Sequence, residues 1–231
     1  MSDVLELVEA RLRTTLGEPD ARAAVTFLGT DRIEVLRWQT APSEVPGSSE
    51  SLSPEDDPGA GGGIVRYVTL GMSARPMTDP GGSAAGASPF DAASSLSVTF
   101  ADPVRGPRAE LVLSVRAGRA DTDKALRPLA VLAASPQVEG LVVAPGASLD
   151  LGEPLWPGAP FTSVLVGEPG GLIEDLALDP PMEPVRFLPL LPMTPNEAAW
   201  KRVHGAAALQ ERWLRQGTDL RDPLRVGVEL G

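Results

Sequence analysis

His204 is the one imidazole in 231 residues and there is no cysteine, so any chemistry here rests on carboxylates, hydroxyls or binding. Disulfides, thiolate zinc sites, iron–sulfur clusters and thiol nucleophiles are excluded together. A serine hydrolase of the usual kind would need His204 itself as its base. His204 falls with Glu197, Glu211 and Arg215 on the polar arc of a predicted helix. No serine or second ligand is spaced to work with it, which reads as a solvated helix face. Residues 71–75, Gly-Met-Ser-Ala-Arg, start a nucleophile elbow and break it, because Arg75 stands where G-x-S-x-G needs its second glycine. The glycines of 59–63 precede a strand instead of joining strand to helix, so they aim no amides at a phosphate. Glu55-Asp56-Asp57 and Asp121-Thr122-Asp123 lack the spacing and closing glutamate of a calcium loop. No cofactor and no metal is expected. An enzyme would have to use paired carboxylates, drawn from Glu110, Asp150, Glu174 and Asp175, since such hydrolysis needs neither Cys nor His.

The elements that would position these groups are marked in the pattern. Residues 3–16 carry Val4, Leu5, Val8, Leu12 and Leu16 at helical spacing, with Asp3 before them and Gly17 after. Strands are predicted at 24–28 and 33–38 as a hairpin, then at 64–70, 96–100 and 109–115, the last two joined antiparallel by a Pro- and Gly-containing turn. Residues 121–134 read as a helix in which Pro128 starts the main body or kinks it. Short strands follow at 141–143, 149–151 and 161–166. Residues 185–191 form an apolar strand that runs into Thr194-Pro195-Asn196-Glu197, a capping box with proline at the first helical position. One helix is then predicted to residue 215, with Trp200, Val203, Ala206, Ala207, Leu209, Trp213 and Leu214 on its packed arc and Glu197, Lys201, His204 and Arg212 among those on its wet arc. Trp38 and Trp156 would be binding hot spots if exposed; Trp200 and Trp213 read mainly as core.

The composition bounds the rest. The chain has 24 Gly and 24 Pro, which predict many turns, and the segments 40–63 and 74–95 read as flexible loops inside one domain spanning 1–231. A formal net charge of -11 repels phosphate backbones and anionic lipid, so neither nucleic acid nor a membrane is an expected partner. No run approaches a membrane span and no leader is recognisable, so a cytoplasmic protein is expected. Nothing in the sequence selects an oligomeric state.

Four landmarks in order resemble the suppressor of fused (SUFU) domain family. They are Tyr67-Val68-Thr69-Leu70-Gly71-Met72-Ser73, the strand Arg108-Ala109-Glu110-Leu111, the helix of 126–134 followed by Gly152 and Leu155-Trp156, and the strand Phe187-Leu188-Pro189 with its Thr194-Pro195-Asn196-Glu197 cap. Together they cover about residues 60–215. The resemblance implies an α+β fold, a mixed and largely antiparallel sheet with flanking helices in a single domain, serving as a non-catalytic protein-binding module. Eukaryotic members hold a transcription-factor peptide between two domains, and this sequence matches one of them, so that partner is not carried over. Bacterial one-domain members are associated with polymorphic-toxin loci, which points to an immunity protein that binds a basic toxin domain, with charge attraction speeding the encounter. Tyr67, Ser73 and Glu110 are the motif residues implied for partner binding, against structural roles in strand pairing and polar satisfaction. The competing readings are the carboxylate hydrolase and a scaffold without external partner.

Overall fold

The structure, a computed structural model, is described for residues 3–27, 30–40, 63–77 and 104–230. The predicted strand 96–100, the acidic run 55–57 and most of the loops 40–63 and 74–95 lie outside these residues.

Strand periodicity builds the centre. β1 (Ala21–Val25), β2 (Ile33–Thr40), β3 (Ile64–Leu70), β4 (Arg108–Arg116), β5 (Ser148–Asp150), β6 (Ser163–Val166) and β7 (Val185–Met193) form one seven-stranded sheet in the order β1-β2-β3-β4-β7-β6-β5. Every neighbouring pair is antiparallel except β4 with β7, which run parallel. This is the mixed, largely antiparallel sheet expected from the resemblance. Because side chains alternate between faces, Val35, Tyr67, Leu111, Leu113, Leu188 and Val166 reach one core, under helix α2 (Leu126–Glu139). Leu36, Trp38, Val68, Val112 and Phe187 reach the other, under helix α1 (Val4–Leu16). Farther along that second face, Leu165 and Met193 pack under α3 (Pro195–His204) and α4 (Ala206–Arg215).

β7 carries two prolines inside the sheet, and the register explains how. Residues 185–190 pair with β4 and 190–193 with β6, so Leu190 pairs on both sides. Pro189 and Pro192 each have a flank with no strand partner to lose.

The helix ends follow local chemistry. Asp3 accepts the Leu5 amide at 3.2 Å and starts α1; Gly17 ends it, and its carbonyl accepts the Trp38 indole N–H at 2.9 Å, tying α1 to β2. α2 outlasts its prediction, running through Pro136 to Glu139 where 134 was expected as the end. Proline removes the amide that the Leu132 carbonyl would accept, and the Ser135 hydroxyl donates to that carbonyl at 2.7 Å instead. Pro128, within the first turn, costs no intrahelical bond.

Three expectations are corrected. Residues 141–143 are irregular, with Val143 held by its amide against the Met77 sulfur at 3.4 Å. β1 lies at 21–25, earlier in the chain than the 24–28 expected, because its pairing with β2 runs from Ala21 opposite Arg37 to Val25 opposite Ile33. The last helix breaks at Gly205, whose φ of 88° and ψ of 166° no helix contains. Val203 and Leu214, assigned to the packed arc, stand 78% and 82% exposed. Leu209 and Trp213 keep their buried positions.

Candidate functional site

The motif residues of β3 and β4 meet where the ladder between them stops. The last paired residues are Val68 and Val112. Beyond them the strands part, and side chains take over the backbone's hydrogen bonds. The Thr69 hydroxyl accepts the Leu111 amide at 2.8 Å and donates to Glu110 Oε2 at 2.6 Å. Glu110 Oε1 accepts the amides of Gly71 and Ser73 at 2.9 and 3.0 Å and the Ser73 hydroxyl at 2.6 Å. Glu110 therefore closes both the strand end and the 3-10 turn Met72–Ala74. Burial pushes its carboxyl above the ordinary glutamate range, against the opposing pull of the Ser73 and Thr69 hydroxyls and the amides of Ser73 and Gly71.

Gly71 is required at the hinge of this cluster. Its φ is +135°, and a Cβ there would lie 2.6 Å from the Arg32 carbonyl oxygen. Gly71→Ala is expected to cost at least about 2 kcal/mol, through strain and displacement of an amide that Glu110 accepts. A urea-denaturation midpoint unchanged from wild type would contradict this.

Tyr67 is separate from that cluster. Its hydroxyl bonds Thr122 Oγ1 at 2.9 Å and donates to Asp123 Oδ1 at 2.7 Å, and Arg37 Nε also reaches Asp123 Oδ1 at 2.8 Å. These contacts tie β3 to the turn that starts α2. Burial pushes the phenol up to about 12. The structure thus brings Ser73 and Glu110 together and leaves Tyr67 apart, with all three fully buried.

The four carboxylates of the hydrolase reading each have partners of their own. Glu110 is occupied as described. Asp150, Glu174 and Asp175 face Arg202 at 3.7 Å, Arg11 at 3.4 Å and Arg186 at 3.9 Å, respectively. His204 stacks on Trp200 with ring centroids 4.2 Å apart, and Arg212 lies 5.4 Å from the Trp200 ring. The described residues contain no group of three His, Cys, Asp or Glu placed to hold a metal ion. None of their helices is long and apolar enough to cross a membrane.

Glu197 is the largest correction among the marked residues. It does form the capping box, accepting the Thr194 amide at 2.8 Å while its own amide donates to Thr194 Oγ1 at 3.3 Å. It does not lie on a wet face. It is fully buried, with Arg225 Nη1 at 2.8 Å, Arg225 Nη2 at 3.0 Å and the Trp213 indole N–H at 2.9 Å. Arg225 also donates to the Pro192 carbonyl at 2.6 Å and lies over the rings of Phe161 and Trp213. Sequence reasoning missed Arg225 because the capping box already explained Glu197 and nothing local called for a second partner. Burial pushes Glu197 up, but Arg225, the Thr194 amide and Trp213 together hold it below the ordinary value of 4.5. A depressed folded value adds stability that is complete above the unfolded range and is lost as pH falls through the folded value. Wild-type stability is therefore expected to fall more steeply than that of Glu197→Gln across roughly pH 5 to 3, measured by urea unfolding; parallel curves would contradict the assignment.

Next to the Glu110 cluster lies an open pocket of about 760 Å³, within the size range of ligand sites. It is bounded by Asp3, Val4 and Leu7 at the start of α1, by Ala74, by Val104 ahead of β4 and Arg108 at its first residue, and by residues 177–182.

The sheet order, the helices on both faces and the positions of the motif residues define a SUFU-type domain. The family profile described as Suppressor of fused protein (SUFU) matches residues 29–226, and the chain belongs to that family. The match reaches beyond the 60–215 covered by the sequence landmarks. Among solved structures, a SUFU (suppressor of fused protein) homologue from Neisseria gonorrhoeae FA 1090 shares the fold with a TM-score of 0.61 and 18% identity, over 98% of this chain and 97% of that one. The Sufu–Fu complex matches with a TM-score of 0.52 and 12% identity, over 99% and 89% of the two chains. Drosophila Suppressor of Fused matches with a TM-score of 0.51 and 11% identity, over 97% of this chain and 50% of that one. No curated protein matches in sequence.

Proposed function

We propose that this SUFU-family domain is a non-catalytic protein-binding module. The observation that carries the reading is the division of its groups. Side chains able to do chemistry, Tyr67, Ser73, Glu110 and Glu197, are buried and occupied in holding the fold, while the open concavity beside the Glu110 cluster is walled mainly by apolar side chains. An apolar concave surface with few polar groups suits recognition of a ligand. The Sufu–Fu structure, a fold relative, is itself a complex. Tyr67, Ser73 and Glu110 serve binding here by fixing the surface that a partner meets. A cytoplasmic immunity protein against a basic toxin domain is the narrower form of the proposal, and the net charge of -11 supports it by favouring encounter with a basic partner. The test is affinity capture with the tagged full chain in its native host, alongside co-expression with the products of neighbouring genes. A partner that reconstitutes with purified protein at fixed stoichiometry is the expected result. Repeated recovery of no such partner would overturn the reading.

A further inference from the structure

Arg66 of β3 and Arg116 of β4 lie on the α1 face of the sheet, in phase with Val68 and Val112. Arg66 pairs with Ser114 and Arg116 with Ile64, so the two arginines are diagonal neighbours, about 7–8 Å apart at the α carbons. The C-terminal segment brings a third. The Arg221 carbonyl accepts the Arg116 amide at 2.7 Å, and the side chains of both arginines reach Asp219, Arg116 through Nε to Oδ2 and Arg221 through Nε to Oδ1 at 3.5 Å. Arg66 has no carboxylate within ion-pair distance among the described residues. Its Nη1 donates to Thr40 Oγ1 at 2.8 Å, and its Nε is buried without a partner. Burial, and after it the nearby Arg221, press this guanidinium below its ordinary value. A fourth arginine, Arg119, is matched by Asp222 at 2.9 Å. The other three share the single carboxylate of Asp219, which leaves two positive charges uncompensated in a chain whose net charge is -11.

Like charges gathered this way repel, and an anion bound among them recovers that cost. The cluster is open to one. Arg116 and Arg221 keep 30% and 54% of their side-chain surface exposed, and Arg66 is half-buried with Nε its one enclosed and unpartnered nitrogen. We infer that Arg66, Arg116 and Arg221 form a binding site for a compact dianion of the phosphate class. The charge count selects the class: a phosphate monoester carries about -1.5 to -2 at pH 7, which matches the excess, whereas a lone carboxylate leaves half of it standing. The planar donor fork of arginine also suits phosphate oxygens. A long phosphodiester backbone does not fit, since the acidic remainder of the surface repels its further charges. The site lies at the opposite end of β4 from Arg108 and its pocket, and it does not rest on the protein-binding reading.

The test is titration of the full chain with inorganic phosphate, and separately with a short neutral peptide carrying one phosphoserine, at low ionic strength. Calorimetry and the rise in Tm that a ligand of the folded state produces are the two readouts. Saturable binding at one site per chain is expected. Tighter binding of the peptide than of inorganic phosphate assigns the site to a phosphorylated side chain of a partner; equal or weaker binding assigns it to free phosphate or a small ester. Arg221→Gln, at an exposed side chain, should keep the wild-type Tm without ligand and weaken binding at least about ten-fold, the scale of one charge-assisted pair. Arg66→Gln should weaken it similarly. Arg32→Gln is the control for net charge: it removes an exposed cation just ahead of β2, whose first residues pair with the far end of β3, and should leave affinity unchanged. Saturable binding of neither ligand, affinity unchanged in Arg221→Gln or in Arg66→Gln, an equal loss in Arg32→Gln, or acetate binding as tightly as phosphate would each overturn the proposal.

Discussion

Arg225→Ala is expected to remove about 3–5 kcal/mol of folding stability, the range for breaking a buried ion pair by deleting one partner. Glu197 would keep the Thr194 amide and the Trp213 indole but lose its cation, in a site with no exposure. The C-terminal segment would also lose its anchor, since the same guanidinium holds the Pro192 carbonyl and packs over Phe161. For a chain of this size the loss corresponds to a fall in Tm of roughly 6–20 °C. The control is the double variant Glu197→Gln with Arg225→Met, which removes both charges and retains bulk. It should be more stable than Arg225→Ala, because no unpaired charge is left buried. Equal melting temperatures for Arg225→Ala and wild type would show that the pair contributes nothing.

Glu110→Ala is the second large effect, expected at about 3–5 kcal/mol. Four donors lose their acceptor at once, and each buried donor left unsatisfied costs about 1–3 kcal/mol before relaxation. Glu110→Gln should cost less, roughly 1–2 kcal/mol, because its amide oxygen still serves the Gly71 and Ser73 amides while its NH2 group opposes the Thr69 hydroxyl. The pH dependence runs opposite to that of Glu197. A carboxyl raised in the folded state gives stability that is complete below the unfolded range and is lost as pH rises through the folded value. Glu110→Gln should therefore flatten the decline on the alkaline side of the carboxyl range, whereas Glu197→Gln flattens the acid side. Chemical denaturation of the two variants over pH separates them, and identical profiles would mean that the two carboxyls do not differ in environment.

Much of the architecture was legible because it is locally encoded. Asp3 and Gly17 bracket α1, the alternation of 64–70 marks β3, and Thr194-Pro195-Asn196-Glu197 marks the start of α3. Each involves residues no more than a few positions apart, so spacing alone carries the signal. The errors fall where another element or a single backbone angle intervenes. α2 continues past Ser135-Pro136 because a serine hydroxyl replaces the missing bond. The last helix divides because Gly205 leaves helical geometry, and no hydrophobic pattern records that.

The site was legible only as a list of motif residues. Ser73 and Glu110 are 37 positions apart and meet because β3 and β4 pair up to Val68 and Val112 and then separate. Arg108, two residues before Glu110 in the same strand, gave no sign in sequence of being a buried cation beside a pocket. What the sequence determined by itself was the exclusion of thiol and histidine-cluster chemistry, the helix caps, the alternation of the strands and the family. Only the tertiary structure decided that Glu197 is a buried partner of Arg225, that Tyr67 belongs to a different network from Glu110, and that a largely apolar pocket adjoins Arg108, a buried arginine with no carboxylate partner among the described residues. The physical reason is that caps and alternation arise between near neighbours in the chain, whereas burial and charge pairing depend on residues tens of positions apart, brought together only when the sheet closes.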